Sequence, residues 1–308
     1  MALRNKKSAT DEFAPVGRFQ WAVGQYQVRK MFAAGPDRLS RGGGVSKQSE
    51  SVLIDPGGLN YRVYTPLEDH RNLFTIFAGV KTSDDVLQFA ESYGHLGIST
   101  EFFVASTLRG PTPLKRGERI TDWQNEALIM AAVLNLWSRI QEKDLRSVIV
   151  WEGNTTVRYC PASDGVTGPA TTAERRPPPF RPIVADARFK YQSFFHGWKR
   201  GDLEGPARLY LAAEINSHLQ HNVTPQLVFD DSHQFKEYIR PLNLLGAMWY
   251  QMCRAFTGDQ PIRRCAAPDC GRWMVYERST KTMHEACAAR LRQRRYREAH
   301  DAQETKTR

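Results

Sequence analysis

Near its carboxyl end the chain reads Arg264-Cys265-Ala266-Ala267-Pro268-Asp269-Cys270-Gly271-Arg272-Trp273-Met274-Val275, and then His284-Glu285-Ala286-Cys287-Ala288-Ala289-Arg290. Three of the five cysteines fall here with one histidine, all within 23 residues, in the pattern C-x4-C-x13-H-x2-C. Pro268-Asp269 is a turn signal that can bring the first two sulfurs together. His284 and Cys287 are separated by two residues, which fits one face of a helix's first turn. Three thiolates and an imidazole are a standard tetrahedral set for Zn²⁺. The spacing therefore predicts one structural zinc ion on Cys265, Cys270, His284 and Cys287, with a strand from Trp273 to Tyr276 between the pairs. A knuckle, a hairpin and a helix whose start supplies the last ligands form a treble-clef zinc ribbon. Four protein ligands leave no open position for water, so the role expected is structural. Zinc supplies on the order of 10 kcal/mol of folding free energy in modules this small.

The residues after Cys287 carry the functional signal. Arg290, Arg292, Arg294, Arg295 and Arg297 place five guanidiniums within eight residues, with Tyr296 among them. A core-facing helix cannot hold that density of charge. Guanidinium is a planar fork that matches phosphate oxygens. Nucleic-acid contact is the leading reading, through these arginines with Arg278 and Lys281 close by. An acidic protein partner and a solvated face remain the alternatives.

Charge along the chain points the same way. The formal charge is +10. Residues 1–50 hold nine Lys/Arg against four Asp/Glu, residues 261–308 hold twelve against six, and the 210 residues between are nearly neutral. Basic ends on a neutral body are the footprint expected for a polyanion partner. Apolar residues make up 41% of the chain and charged residues 25%, which excludes wholesale disorder. No apolar run is long enough for a membrane span. No apolar stretch follows the basic start at Met1, so no secretory signal is read. Five cysteines do not make a disulfide scaffold. These features predict a soluble, cytoplasmic protein with no membrane partner.

Working back from the cysteine cluster, Leu242, Leu245, Trp249, Met252 and Phe256 predict a buried helix stopped near Gly258. Gln226–Phe229 reads as a short strand, and Leu211, Ala212, Ile215 and Leu219 mark a helix face. Six prolines in residues 161–182 predict an extended loop. Ser147–Trp151 and Thr155–Cys160 flank Glu152-Gly153-Asn154 and predict a β-hairpin. Thr121 and Gln124 have the spacing of a capping box, followed by the apolar stripe Trp123, Ala127, Met130, Leu134 and Trp137. Thr82–Asp85 opens an earlier helix with Val86, Phe89, Ala90 and Tyr93 on one face and Gly94 as its C-cap. Tyr61–Tyr64 reads as a strand. Residues 1–60 are basic and Gly-rich. They look a poor candidate for a core and read as a flexible segment, with Phe13 to Phe32 the part that can order. Gly42-Gly43-Gly44 fits no phosphate-loop pattern. The fold expected is α+β. It has an N-terminal segment 1–60, a mostly helical body 61–260 with a small β-hairpin and the 161–182 loop, and a zinc module 261–308.

With these residues in view, the chain resembles the bacterial CGNR zinc-finger family with its N-terminal ABATE stress-regulator domain. The resemblance covers about residues 205–300. It rests on Leu211-Ala212-Ala213-Glu214-Ile215-Asn216 with Leu219, on the apolar stretch Pro241–Trp249, and on Arg263-Arg264-Cys265 through Cys270-Gly271-Arg272-Trp273. The family's final tetrad is C-G-N-R, whereas here Cys287-Ala288-Ala289-Arg290 keeps the first and last positions. The family's third cysteine would fall near Thr282 or Met283, and His284 takes its place as a ligand. The resemblance implies a treble-clef zinc ribbon and a DNA-binding transcriptional regulator. The helical body is then expected to sense a signal or form a homodimer. The alternative is a protein-interaction or phage/host defence component that docks through the zinc module onto an acidic partner.

No catalytic constellation is present: there is no H-E-x-x-H, G-x-S-x-G or kinase set. His218, His221, Asp230, Asp231 and His233 form the one polar cluster that invites a second metal or acid–base reading, and surface chemistry is the commoner origin of such a cluster. Cys253 reads as a packing residue and Cys160 as an isolated thiol. The chain is expected not to be an enzyme.

Overall fold

The computed structural model describes residues 19–32, 49–54, 62–98, 100–102, 115–152, 156–160, 183–184, 201–229, 235–258, 262–276 and 280–306. In chain order the strands and helices are β1 (Trp21–Val23), β2 (Gln27–Phe32), β3 (Ser49–Ile54), β4 (Arg62–Tyr64), α1 (Pro66–Asp69), α2 (Leu73–Phe77), α3 (Ser83–Tyr93), β5 (Thr100–Phe102), β6 (Lys115–Arg119) and α4 (Ile120–Glu142). There follow β7 (Ile149–Glu152), β8 (Thr156–Tyr159), β9 (Ile183–Val184), α5 (Glu204–Asn222), β10 (Val223–Phe229), β11 (Phe235–Pro241), α6 (Leu244–Phe256), β12 (Ile262–Arg264), β13 (Trp273–Val275) and α7 (Glu285–Lys306). The class is α+β, with small antiparallel sheets throughout. The body therefore holds more strand than the one hairpin and two short strands expected. The chain divides into two compact units, each discontinuous in sequence.

The first unit comprises Met1–Arg71, Ser83–Trp123 and Asn216–Tyr250. Its main sheet has the strand order β2-β3-β6-β5. Val52, Leu53 and Ile54 of β3 are buried, as are Phe19, Val23 and Tyr26. The expectation that the first 60 residues contribute no core is corrected for these stretches: three apolar side chains in a row are buried, and because successive strand residues point to opposite faces, β3 is covered on both. The Gly42–Gly44 cluster lies outside the described residues.

Helix α3 buries Val86, Phe89 and Ala90 as its period predicts. Gly94 closes it at φ +95°, donating its N–H to Ala90 O at 2.7 Å, a left-handed conformation in which glycine avoids the Cβ clash. The turn that follows is held by Glu118 of β6, a carboxylate only 2% exposed. Its oxygens accept the backbone N–H groups of Leu96 (2.9 Å), Gly97 (2.6 Å) and Ile98 (2.8 Å) and the indole N–H of Trp123 (2.8 Å).

The hairpin β10–β11 follows α5 without a loop. Leu242 is 56% exposed and precedes α6, so it is not on the buried face assigned to it. That face instead runs through Leu245, Met248, Trp249 and Met252.

The second unit comprises Asn72–Thr82, Gln124–Ile215 and Gln251–Arg308. Residues 261–308, expected as a separate module, fall within it. In α4, Ala127, Met130 and Leu134 are fully buried, and Trp137 stacks on Phe256 with centroids 4.5 Å apart. The capping box does not form: Ile120 already begins the helix directly after β6, and the Gln124 side chain donates to Lys81 O at 2.8 Å. The predicted hairpin is β7–β8, extended by β9, which the sequence does not announce. It packs on the helices through Tyr159, whose hydroxyl donates to Ala132 O (2.8 Å) and whose ring meets Tyr210 at 5.2 Å. Helix α5 buries Ala207, Tyr210, Leu211 and Ile215, while Ala212, assigned to that face, is exposed. The proline-rich stretch 161–182 lies outside the described residues.

Among the described residues, no helix is long and apolar enough to cross a membrane.

Candidate metal centre

The site is built on a two-stranded ladder. β12 and β13 pair antiparallel with Arg264 opposite Trp273. The ladder continues one step as Cys265 N donates to Arg272 O at 2.9 Å. The chain then turns, with Cys270 N bonded to Ala267 O at 3.1 Å. Gly271 takes φ +58° to re-enter β13. No atom lies within 4 Å of where its Cβ would be, so the backbone conformation, not space, calls for glycine there. This knuckle brings Cys265 and Cys270 to one side of the turn. Ala266 N donates to Thr282 O at 2.9 Å and ties the approach to α7 against the knuckle. The carbonyl of His284 accepts the N–H of Ala288 (2.9 Å), so His284 caps the helix and Cys287 lies in its first turn.

The four ligand atoms of Cys265, Cys270, His284 and Cys287 lie within 4.8 Å of one another. Zn–S bonds near 2.3 Å imply tetrahedral edges of about 3.8 Å, slightly shorter where a nitrogen replaces a sulfur. Cys270 Sγ and His284 Nδ1 already stand 3.5 Å apart. The set fits a metal ion after small adjustments of the sulfurs. The histidine's orientation is determined by its other nitrogen. Nε2 is 3.1 Å from Trp273 O; a carbonyl only accepts, so Nε2 carries the proton and Nδ1 presents its lone pair to the thiols. Such an outer hydrogen bond is how metal-bound histidines are fixed in one tautomer.

The thiols share protons unequally. Burial alone would raise Cys270, but hydrogen bonds from the backbone and side chain of Arg272, and from the thiols of Cys287 and Cys265, bring it down to about 6. Cys287 is pushed up to about 11 by burial and by donating its proton to its two neighbours. A metal ion replaces those protons, so binding releases them.

Around the ligands the apolar support is small. Cys265, Ala267, Met274 and Cys287 are buried together, with Tyr276, Met283 and Leu291 partly covering them. Two cations stack outside this core: Arg263 lies 3.8 Å from the centroid of Tyr276 and Arg264 lies 5.2 Å from that of Trp273. Arg264 also donates to Asn135, a buried side chain of α4. Nothing in the sequence pairs residues 129 apart, so this anchor was not readable.

Helix α7 leaves the core quickly. Every residue from Arg292 to Glu298 is exposed. Arg290 pairs with Asp269 at 2.8 Å and Arg294 with Glu298 at 2.9 Å. Arg292, Arg295 and Arg297 have no ion-pair partner among the described residues. The five arginines do not form a single row. At about 100° per residue, Arg290, Arg294 and Arg297 share one flank and Arg292 and Arg295 the other. Lys281 is exposed, and Arg278 lies outside the described residues.

The other polar cluster does not assemble among the described residues. His218 stacks on Trp249 with centroids 4.0 Å apart, its ring taken up by packing. His221 is exposed, and Asp230, Asp231 and His233 lie outside the described residues. Cys160 and Cys253 form no disulfide among the described residues.

No family model matches the chain, and neither a curated protein nor a solved structure does.

Proposed function

We propose that the carboxyl-terminal segment is a treble-clef zinc module that binds nucleic acid through α7, and that the protein is a DNA-binding transcriptional regulator of the kind its resemblance to the CGNR zinc-finger proteins implies. The observation that carries this reading is the joining of a four-ligand metal cluster to the first turn of a helix whose next exposed turns are dense in arginine. Three thiols and an imidazole are the donor chemistry of structural zinc, closed to water and substrate. The ion's part is to fix the start of α7 against the β12–β13 knuckle. The arginines then offer phosphate contacts, which supply affinity without sequence information. The ion pairs of Arg290 and Arg294 are surface pairs, weak enough to exchange for phosphate.

The experiment measures zinc content by elemental analysis and binding of the full chain to DNA across a salt series. One zinc per chain and a steep fall in affinity with salt are expected. Arg294→Ala with Arg295→Ala flattens the log–log slope by about one unit for each phosphate no longer neutralised. His284→Ala lowers both zinc content and affinity. A slope unmoved by the double substitution, or no nucleic-acid binding at low salt, refutes the proposal.

A further inference from the structure

The outer face of α7 carries a second pattern, distinct from its arginines. Cys287 is buried, and Ala288 and Leu291 are partly buried, so these mark the side turned to the metal core. At about 100° per residue the opposite side is occupied by Ala289, Gln293 and Tyr296, at i, i+4 and i+7. All three are exposed, Tyr296 at 73%. No charged residue lies between them on that strip. The strip is bordered by Arg297 and Arg290 on one flank and by Arg292 on the other, with Arg294 and Arg295 further round toward the side of the cysteines.

A neutral, hydrogen-bonding strip between two banks of guanidinium is complementary to a groove whose two rims are anionic and whose floor is not. The major groove of B-form DNA has that layout. It is about 12 Å wide and accepts a helix with its side chains, while phosphates of opposite strands line its edges. A-form duplex RNA does not offer it, because its major groove is too deep and narrow for a helix. A flat acidic protein surface would engage one bank and leave the other in solvent. We infer that α7 is a major-groove recognition helix for duplex DNA, with Gln293 reading a base edge between the two banks of phosphate-binding arginines. The inference rests on the nucleic-acid reading above and adds to it the class of target and the residue that confers choice. A glutamine amide presents one donor and one acceptor, which pair with N7 and the N6 amino group of adenine. Ala289, one turn earlier, leaves room for the helix to approach and can contact a thymine methyl. Tyr296, one turn later, extends the strip toward the next bases or phosphate.

The test uses the full-length, zinc-loaded chain and selection from a randomised duplex DNA library. Recovery of a motif containing an invariant adenine is expected. Gln293→Ala should reduce the ratio of affinities for that motif and its scrambled counterpart by about tenfold, the effect of removing one bidentate pairing to a base. Gln293→Arg, which needs an intact module to act, should move the preference at that position from adenine to guanine, since Arg pairs with guanine O6 and N7. Salt-dependent DNA binding without any sequence preference would overturn this inference while leaving the proposed function standing. So would a preference that neither Gln293 variant alters, or binding to duplex RNA as tight as to duplex DNA. Absence of binding to any nucleic acid, or binding only to an acidic protein, would refute the proposed function itself.

Discussion

Replacing Glu118 by Gln tests how the first unit is held together. The carboxylate accepts four N–H groups, two on each oxygen: Gly97 and Ile98 on Oε1, Leu96 and Trp123 on Oε2. Gln keeps the size but supplies an NH₂ group where one oxygen stood. Two donors must then face a third donor. Leu96 and Trp123 are fully buried, so water cannot serve them. The least damaging choice turns the amide nitrogen toward Gly97 and Ile98. These two donors are part-buried, so each costs about 1 kcal/mol, the low end of the range for an unsatisfied group, and the two surviving bonds lose their charge assistance. The net destabilisation expected is about 3 kcal/mol, seen as a fall of roughly 1 M in the urea midpoint for a chain of this size. Glu118→Ala removes every acceptor and should destabilise further, approaching the whole stability of an ordinary domain. Urea titration followed by circular dichroism makes the comparison. A Gln variant within about 0.5 kcal/mol of wild type, a difference too small for two lost charge-assisted bonds, would refute this account. An Ala variant no worse than Gln would refute it equally.

Two further outcomes follow from the same unit. Gly246 of α6 is where the helix meets the end of α5: a Cβ there would fall 2.1 Å from Asn222 O, a backbone atom that cannot swing aside. Gly246→Ala should therefore lower thermal stability by about 2 kcal/mol or more, and an unchanged melting temperature would show that the two backbones are not so close. Burial, reinforced by the phenol of Tyr93, raises the Tyr64 hydroxyl well above its ordinary value of 10, and it donates to Tyr93 O at 2.7 Å. A group whose folded pKa lies above its unfolded one contributes stability that is complete below about pH 10 and is lost as the pH rises beyond it. Tyr64→Phe should flatten that alkaline decline, and identical alkaline unfolding curves for the two proteins would contradict it.

What is readable in the sequence depends on whether the signal is local. Helices α3 and α6 are legible because an apolar face repeats at helical spacing. The gathering of Cys265, Cys270, His284 and Cys287 is legible because C-x4-C and H-x2-C are short-range geometries, each set by one turn of chain. The main sheet is not. Its central strand β6 is Lys115-Arg116-Gly117-Glu118-Arg119, with no apolar residue at all, and it is held by pairing to β3 and β5. A strand defined by its neighbours leaves no alternation to find. The same cause hides the core of residues 1–60, where Val52-Leu53-Ile54 is a short run among glycines and lysines. At the start of α4 the capping-box spacing is present as a pattern, but a strand enters the helix directly and Gln124 finds a backbone carbonyl from a distant segment. Gln293 does not stand out among so many charges; only placing the arginines on two flanks of one helix reveals the uncharged strip between them.

The placement of the cysteine–histidine cluster also accounts for how α7 can stay helical through its exposed turns. From Arg292 to Glu298 the helix is exposed, and an isolated helix is marginal because its first turn fixes several residues for a single hydrogen bond. Here that turn is made by the site itself. His284 caps it through the bond from Ala288, Cys287 closes it from within, and Asp269 of the knuckle holds Arg290 one turn on. Propagation then needs only good helix formers, and Arg, Ala, Leu and Gln occupy all but one of positions 288–297. Five neighbouring guanidiniums repel each other, which opposes that propagation; the Arg294–Glu298 pair relieves part of it, and an anionic partner would relieve more. Metal and polyanion would thus act on the same helix from opposite ends, the first by fixing its origin and the second by neutralising its exposed turns, so each is expected to tighten the binding of the other.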